Sequence, residues 1–322
     1  MKVRISILVV ALALLSSCNR EIDFDFPDVE PAIVINSIIT PESPFCVHIS
    51  AIMPISDESY IDVTEPDGYG FTNTYTVPNP KIIDNASVLM YEDGALLTPL
   101  GYAEDGYYFS DKCPKVGSTY TLVVNAPGYK ECKATTTLYN MPVLSNMSFC
   151  DTISVDEEGY PLSRLSLTIK DTIPSRNFYE MSCRAVSDKY DVEYEWIYFN
   201  SSRNTDKVLT QSECLPFNNR VLLFTDDYFS SGNHNLEVIY NYLMYVAMVK
   251  YDLEITVKAI SESYYEYHRS KLLQSYQDEG LFEDFANGET LSAIPVDIYS
   301  NIENGYGVFA SYSTMTDTIM RR

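Results

Sequence analysis

Apolar and polar positions alternate with a period of two along much of this chain, the pattern of half-buried strands. The clearest run is Asp252–Ile260. Leu253, Ile255, Val257 and Ala259 fall on one side and Glu254, Thr256 and Lys258 on the other. Leu165, Leu167 and Ile169 repeat the pattern within Leu162–Lys170. In the first half, Ala32–Ile39, Phe45–Ile52, Ala86–Tyr91, Ala95–Leu97, Tyr107–Phe109, Thr119–Val124 and Cys132–Leu138 are short β-rich runs. Glu92-Asp93-Gly94, Glu104-Asp105-Gly106, Gly117-Ser118 and Ala126-Pro127-Gly128-Tyr129 punctuate them. Such spacing predicts an antiparallel sandwich. Residues 53–80, rich in Pro, Gly, Asp and Thr, read as a long loop. Phe178–Val186, Val192–Phe199, Val221–Phe224 and Leu236–Met248 continue the β pattern. Pro295–Ser300 and Gly305–Ser313 close it, joined by a turn at Asn301–Asn304. One segment has the helical period: Tyr265, His268, Leu272 and Tyr276 share a face. Ser263-Tyr264-Tyr265-Glu266 fits a capping box before it, and Gly280 offers a stop after it.

The expected fold is therefore mostly β. Its first domain, residues 31–140, is an antiparallel sandwich. The order of its strands and Asp-Gly turns resembles immunoglobulin-like and carboxypeptidase-regulatory-like modules, a resemblance that carries a fold and no chemistry. From Pro142 a second β-rich domain follows, residues 141–322, with one helix near residues 263–278.

The N-terminus has a different character. Lys2 and Arg4 precede a short apolar run, Ile5–Leu15, which ends in Leu15-Ser16-Ser17-Cys18. A charged start, a short apolar stretch and small residues before a cut define a secretory signal. A spanning helix needs about 20 apolar residues. The small-small-Cys ending resembles the lipobox of bacterial lipoproteins, which implies cleavage before Cys18 and acylation of that residue. Residues 1–17 are then the signal peptide and Cys18 the lipidation site. Residues 18–30 form an acidic tether containing Glu21, Asp23 and Asp25.

Composition sharpens this picture. Acids outnumber bases, 45 against 22, for a net charge of −23. Such a surface repels nucleic acid and anionic lipid. Cys46, Cys113, Cys132, Cys150, Cys183 and Cys214 follow Cys18. An even number in an oxidising compartment permits disulfides, whose connectivity sequence cannot assign; buried free thiols are the alternative. None sits in a zinc-finger spacing. The three histidines, His48, His234 and His268, are far apart in sequence, and neither HExxH nor GxSxG occurs. Asp226-Asp227 and Asp156-Glu157-Glu158-Gly159 carry calcium-type oxygen ligands without EF-hand spacing and read as solvated loop acids. Gly68-Tyr69-Gly70 and Gly305-Tyr306-Gly307 lack the strand–helix context of a dinucleotide site and read as turns. No catalytic residue, metal ligand or cofactor site is assigned.

The C-terminal third is the most distinctive part. It runs Leu222-Leu223-Phe224-Thr225-Asp226-Asp227-Tyr228-Phe229, then Ser261-Glu262-Ser263-Tyr264-Tyr265-Glu266-Tyr267, then Tyr299-Ser300-Asn301-Ile302-Glu303-Asn304-Gly305-Tyr306-Gly307-Val308-Phe309. Together with the lipobox and the Ile33-Val34-Ile35-Asn36 strand, these blocks resemble a family of Bacteroidota lipoproteins catalogued as domain of unknown function 4249. Within that resemblance, Asn287–Ser292 stands as an insertion. The early acids partly match a cell-surface export signal of some Bacteroidota lipoproteins. The resemblance implies a non-enzymatic, lipid-anchored outer-membrane protein, on the cell surface or the periplasmic face. Its implied role is accessory or ligand-capturing partner of a TonB-dependent receptor in nutrient uptake, with a small molecule, peptide or glycan as ligand. Two other classes stay open: a surface adhesion or structural lipoprotein, and a hydrolase with a dispersed constellation. Tyr299–Phe309 is expected to be structural. Asn301 would cap backbone amides, Gly305 would take positive φ, and Tyr299, Val308 and Phe309 would pack into the second domain's core.

Overall fold

A computed structural model describes residues 30–52, 60–66, 72–157, 159, 161–170, 176–186, 195–197, 199, 204–210, 220–229, 232–241, 252–287 and 297–320. Cys18, the signal peptide, residues 18–29, Gly68–Gly70, Cys214 and the end of the Leu236–Met248 run lie outside them. The protein is mostly β, as its alternation predicts. The described residues fall into two compact units. One holds Pro31–Ile52 and the described part of Pro80–Arg322; the other includes the described part of Met53–Asn79.

The smaller unit corrects the reading of residues 53–80 as loop. Strands β3 (Tyr60–Pro66) and β4 (Thr72–Pro78) pair antiparallel from Tyr60↔Pro78 to Pro66↔Thr72. Thr72, Thr74 and Thr76 supply the β-branched alternation. Pro66 and Pro78 masked it, although proline is tolerated at strand ends.

In the larger unit, the first half comprises β1 (Ile33–Ile39), β2 (Cys46–Ala51), β5 (Lys81–Ile82), β6 (Ser87–Glu92), β7 (Ala95–Tyr102), β8 (Tyr107–Phe109), β9 (Thr119–Asn125) and β10 (Cys132–Thr137). Asp93 and Gly94 join β6 to β7 with φ of 49° and 84°. A two-residue loop with positive φ at both positions matches the right-handed twist of a hairpin. Strand β7 pairs with β6 up to Leu100 and with β8 at Gly101 and Tyr102, so it carries the sheet around a corner. Ile33, Ile35, Val47 and Ile49 on one side then face Met90, Tyr120, Leu122 and Val124 on the other around one core. Tyr108 lies inside it, donating to the Ile83 carbonyl and accepting from the Ala86 amide.

The second half comprises β11 (Val143–Val155), β12 (Pro161–Lys170), β13 (Phe178–Val186), β14 (Glu195–Trp196), β15 (Val221–Thr225), β16 (Asn233–Asn241), β17 (Asp252–Ile260) and β18 (Gly305–Ile319). Helix α1 (Lys207–Thr210) is a single turn, and α2 (Glu262–Asn287) is long. Strands β11, β12 and β16 form one sheet, while β13, β14, β15, β17 and β18 belong to the larger one. Between them Leu165, Leu167, Leu236 and Val238 meet Met181, Cys183, Ile255 and Val257 in a second core. On the opposite face of the larger sheet, Phe178, Leu223, Ile260, Val308 and Ala310 pack under Tyr264 of α2.

Three local expectations change. Strand β11 was not predicted. Asn146, at φ 51°, and two register shifts interrupt its alternation. The N-cap of α2 is Ser261, whose Oγ accepts from the Tyr264 amide, two residues before the predicted cap. Gly280 does not end the helix, which continues through Leu281 to Asn287. Interior glycine costs a helix about 1 kcal/mol against alanine, which good formers on either side can absorb.

The least local feature is β18. Its first part, Gly305–Ser311, lies parallel to β1, and its second, Tyr312–Ile319, lies antiparallel to β17. One late strand thus joins β1 of the N-terminal sandwich to β17 and β13 within the larger sheet. The first core is built from residues 33–138 together with Ile302 and Phe309, and the second from Leu144 onward. At Ser311, where β18 changes partner, side chains replace missing ladder bonds. Ser311 Oγ donates to Thr137 O, Ser313 Oγ to Tyr139 O, and the Ser311 amide to Ser261 Oγ.

Candidate functional site

The distinctive Tyr299–Phe309 block is built from backbone necessity. The Asn301 amide donates to Phe309 O (2.8 Å), and its Oδ1 accepts from the Phe309 amide (2.9 Å), so one side chain acts as a short strand beside β18. Asn304 takes φ 58° and donates to Glu131 O. Lys133 and Glu303 pair as an isolated bridge. The segment therefore seals β10 against β18. Asn301 does what its residue type predicts. Gly305 does not: it lacks positive φ and is needed for proximity, since a Cβ there would lie 2.7 Å from Ile33 O. Gly307 has the positive φ, 98°. Phe309 enters the first core, not the second-domain core expected for it, while Val308 is buried as expected among second-domain residues, with Phe178, Leu223 and Ile260 under α2.

Three groupings of chemistry-bearing side chains stand out among the described residues. Beneath α2, Lys258 Nζ donates to Glu180 Oε1, and the Tyr264 hydroxyl donates to Glu180 Oε2 (2.9 Å). Lys258 also lies 4.8 Å from the centre of the Tyr312 ring, within cation–π range. His268 stacks on Tyr264 at 4.2 Å and meets Tyr267 edge-on. Burial pushes the Tyr264 hydroxyl pKa up, and neighbouring Glu180 adds to the rise. The arrangement holds a carboxylate, an ammonium and a phenol in one cluster, each engaged with the others.

Beside the second core, His234 Nε2 lies 3.0 and 3.1 Å from the two Asp206 oxygens. Its ring stacks on Phe229. Asp206 also accepts from the amides of Val208 and Glu237. The pair resembles half of a hydrolase triad but works as a clamp, capping α1 and holding it to β16. Burial raises the Asp206 pKa, but the His234 hydrogen bond and the two amides outweigh it and leave it depressed. A depressed carboxylate contributes stability above its unfolded value, near 3.9, and loses it as pH falls through the folded value. Asp206→Asn is therefore expected to flatten the acid limb of a Tm-against-pH curve below about pH 4. An unchanged acid limb would remove Asp206 from that role.

Third, Arg176 grips Asp227 through Nε and Nη2, the shortest contact being 2.7 Å, and Asp226 accepts from the Asn177 amide. The Arg176 hydrogen bonds hold Asp227 below the usual carboxylate range. These are the acids that carried a calcium-type pattern. They join the start of β13 to the turn after β15. Among the described residues no cluster of metal-ligating groups occurs, and Cys46, Cys113, Cys132, Cys150 and Cys183 are free thiols.

A surface feature was not foreseen. Register carries one lateral row from Val308 on β18 through Asn36 and His48 to Tyr107 on β8. Val308 is buried under α2, but the row then emerges from cover. Tyr107 and Phe109 are exposed and stacked at 6.1 Å, with His48 edge-on to Tyr107 and Ile38 exposed nearby. Burial lowers the His48 pKa, countered in part by a backbone hydrogen bond at Asp105. Alternation marks Tyr107 and Phe109 as sharing a face. Which face lies open depends on where α2 docks, and that is not local information.

Fold and sites together define a mostly β protein of two cores spanned by one strand, with a helix over part of one sheet face. The family described as "Domain of unknown function (DUF4249)" matches residues 19–318, and the chain belongs to it. A search of curated proteins finds no match.

Proposed function

We propose that this protein is a bacterial lipoprotein held in the outer membrane through Cys18, non-enzymatic, and an accessory or ligand-capturing partner of a TonB-dependent receptor. The observation that carries the reading is the short apolar run Ile5–Leu15 ending at Leu15-Ser16-Ser17-Cys18. Acyl chains anchor strongly because each buried methylene contributes about 0.8 kcal/mol. The non-enzymatic part is supported by how the polar groups are used. Glu180, Lys258, Asp206, His234, Arg176 and Asp227 each tie one element to another. The exposed pair Tyr107 and Phe109 supports the partner role, because aromatic side chains are enriched in protein interfaces.

The test is Cys18→Ala in the native host. Fatty-acid labelling of the wild type and its loss in the variant are expected, together with loss of outer-membrane fractionation. A β-barrel receptor should co-purify with the wild type and be lost from a Tyr107→Ser/Phe109→Ser variant that remains anchored. Equal labelling of the Cys18→Ala variant would overturn the anchor. A lipidated protein that brings down no barrel would overturn the partnership.

A further inference from the structure

We propose that His268 is an acid-sensitive latch: while neutral it seats the N-terminal half of α2 on the sheet, and when protonated it releases that half and bares the apolar patch of Phe178, Leu223, Ile260, Val308 and Ala310. The geometry points to it in three ways. His268 Nε2 is buried and has no hydrogen-bond partner. The ring is held between Tyr264, stacked at 4.2 Å and 21°, and Tyr267, edge-on at 5.7 Å. Tyr264 is the α2 residue buried within the apolar patch, and Tyr265, Tyr267 and Leu272 pack against it from the same half of the helix.

A neutral imidazole can leave a bare lone pair at Nε2 with its proton on Nδ1. The imidazolium cannot, because both nitrogens must then donate. Protonation would create a charged donor in a buried place with no acceptor, and such groups are strongly disfavoured. The surroundings do not rescue the charge. From β13 comes Glu180, whose two oxygens already accept from Lys258 and Tyr264. From β17 comes Lys258, and from α2 itself Lys271, both cationic. From β18 comes Tyr312, whose ring already faces Lys258. Two residues on, the Ser270 hydroxyl accepts from the Tyr299 amide and donates to Tyr267 O. Burial lowers the His268 pKa; Glu180 opposes that shift, and Lys271 and Lys258 add to it. A histidine whose folded pKa is lowered stabilises the seated form fully above its unfolded value, near 6.5, and progressively less as pH falls below it.

The experiment is hydrogen–deuterium exchange on the full mature protein in detergent at pH 7.5 and 5.5, corrected for intrinsic rates. Peptides covering residues 262–274 are expected to lose several-fold in protection at pH 5.5, up to the ceiling of roughly tenfold that one histidine with a released-state pKa near 6.5 allows, while peptides from β9 and β12 keep theirs. His268→Gln should remove that pH dependence, and His268→Phe, which keeps the ring slot filled, is the second variant if the first folds poorly. His48→Gln should leave the α2 response intact. The latch is overturned by α2 protection that ignores pH, by an equal acid response in both His268 variants, or by uniform loss across the chain. A His268 NMR titration midpoint at or above 6.5 would also sink it.

Discussion

Gly307→Ala is expected to be the most damaging small substitution in the C-terminal strand. A Cβ at this position would lie 2.0 Å from Ile35 O and 2.8 Å from Ile35 C on the neighbouring β1. The obstacle is backbone in a buried parallel pair, so no side chain can rotate away. Positive φ adds a second penalty, because only glycine adopts it without strain. Overpacking and strain together put the loss at roughly 2–4 kcal/mol. That is a large part of the stability of about 5–15 kcal/mol typical of a folded domain. Two other glycines set the scale. Gly305→Ala meets Ile33 O at 2.7 Å and Cys132 Sγ at 2.8 Å with ordinary φ, and should cost less. Gly94→Ala has φ of 84° but open space, and should cost least. Urea denaturation of the three variants should give that order. Gly307→Ala no less stable than Gly94→Ala would mean that β1 and β18 are not in contact at this register.

The second large effect concerns the ion pair beneath α2. Lys258→Met should lose about 3–5 kcal/mol, the usual consequence of leaving one buried charge without its partner. Glu180 is only 5 % exposed and would keep only the Tyr264 hydroxyl of the hydrogen bonds described for it. Glu180→Leu should cost less, because the Lys258 side chain is 23 % exposed and its amine can turn to water. The double variant Glu180→Leu/Lys258→Met should recover most of the loss, since apolar replacement of both partners is often neutral. Chemical denaturation of all three closes a double-mutant cycle. Additive losses would show that the two side chains do not act as a pair.

What could be read in advance follows the range of the interaction. Asp93-Gly94 forms its hairpin turn because that chemistry is confined to adjacent residues. The alternation of β17 survives because both its faces are governed by period two. The predicted helix exists because Tyr265, His268 and Leu272 share a stripe, although its ends moved once Ser261 had a tertiary reason to cap it. Strand β11 was hidden by its own irregularity, and the β3–β4 hairpin by flanking prolines. The Glu180–Lys258 pair could not have been foreseen. Its partners are 78 positions apart, and only the register of β13 against β17 brings them together. Gly305-Tyr306-Gly307 reads as a turn, yet it opens β18; that Gly307 needs φ and Gly305 proximity depends on β1, far away in the chain.

The placement of β18 also imposes an order of events. Contacts between β1 and β18 join segments far apart in the chain, and such long-range closure is slow to form. A chain that emerges N-terminus first presents β1 long before residues 305–319 exist to pair with it. Until then the first core lacks Phe309, and one edge of β1 stays open to other strands. Completion of the first sandwich is therefore tied to delivery of the last strand. A nascent molecule is kept pliable, and vulnerable to aggregation, for most of its synthesis.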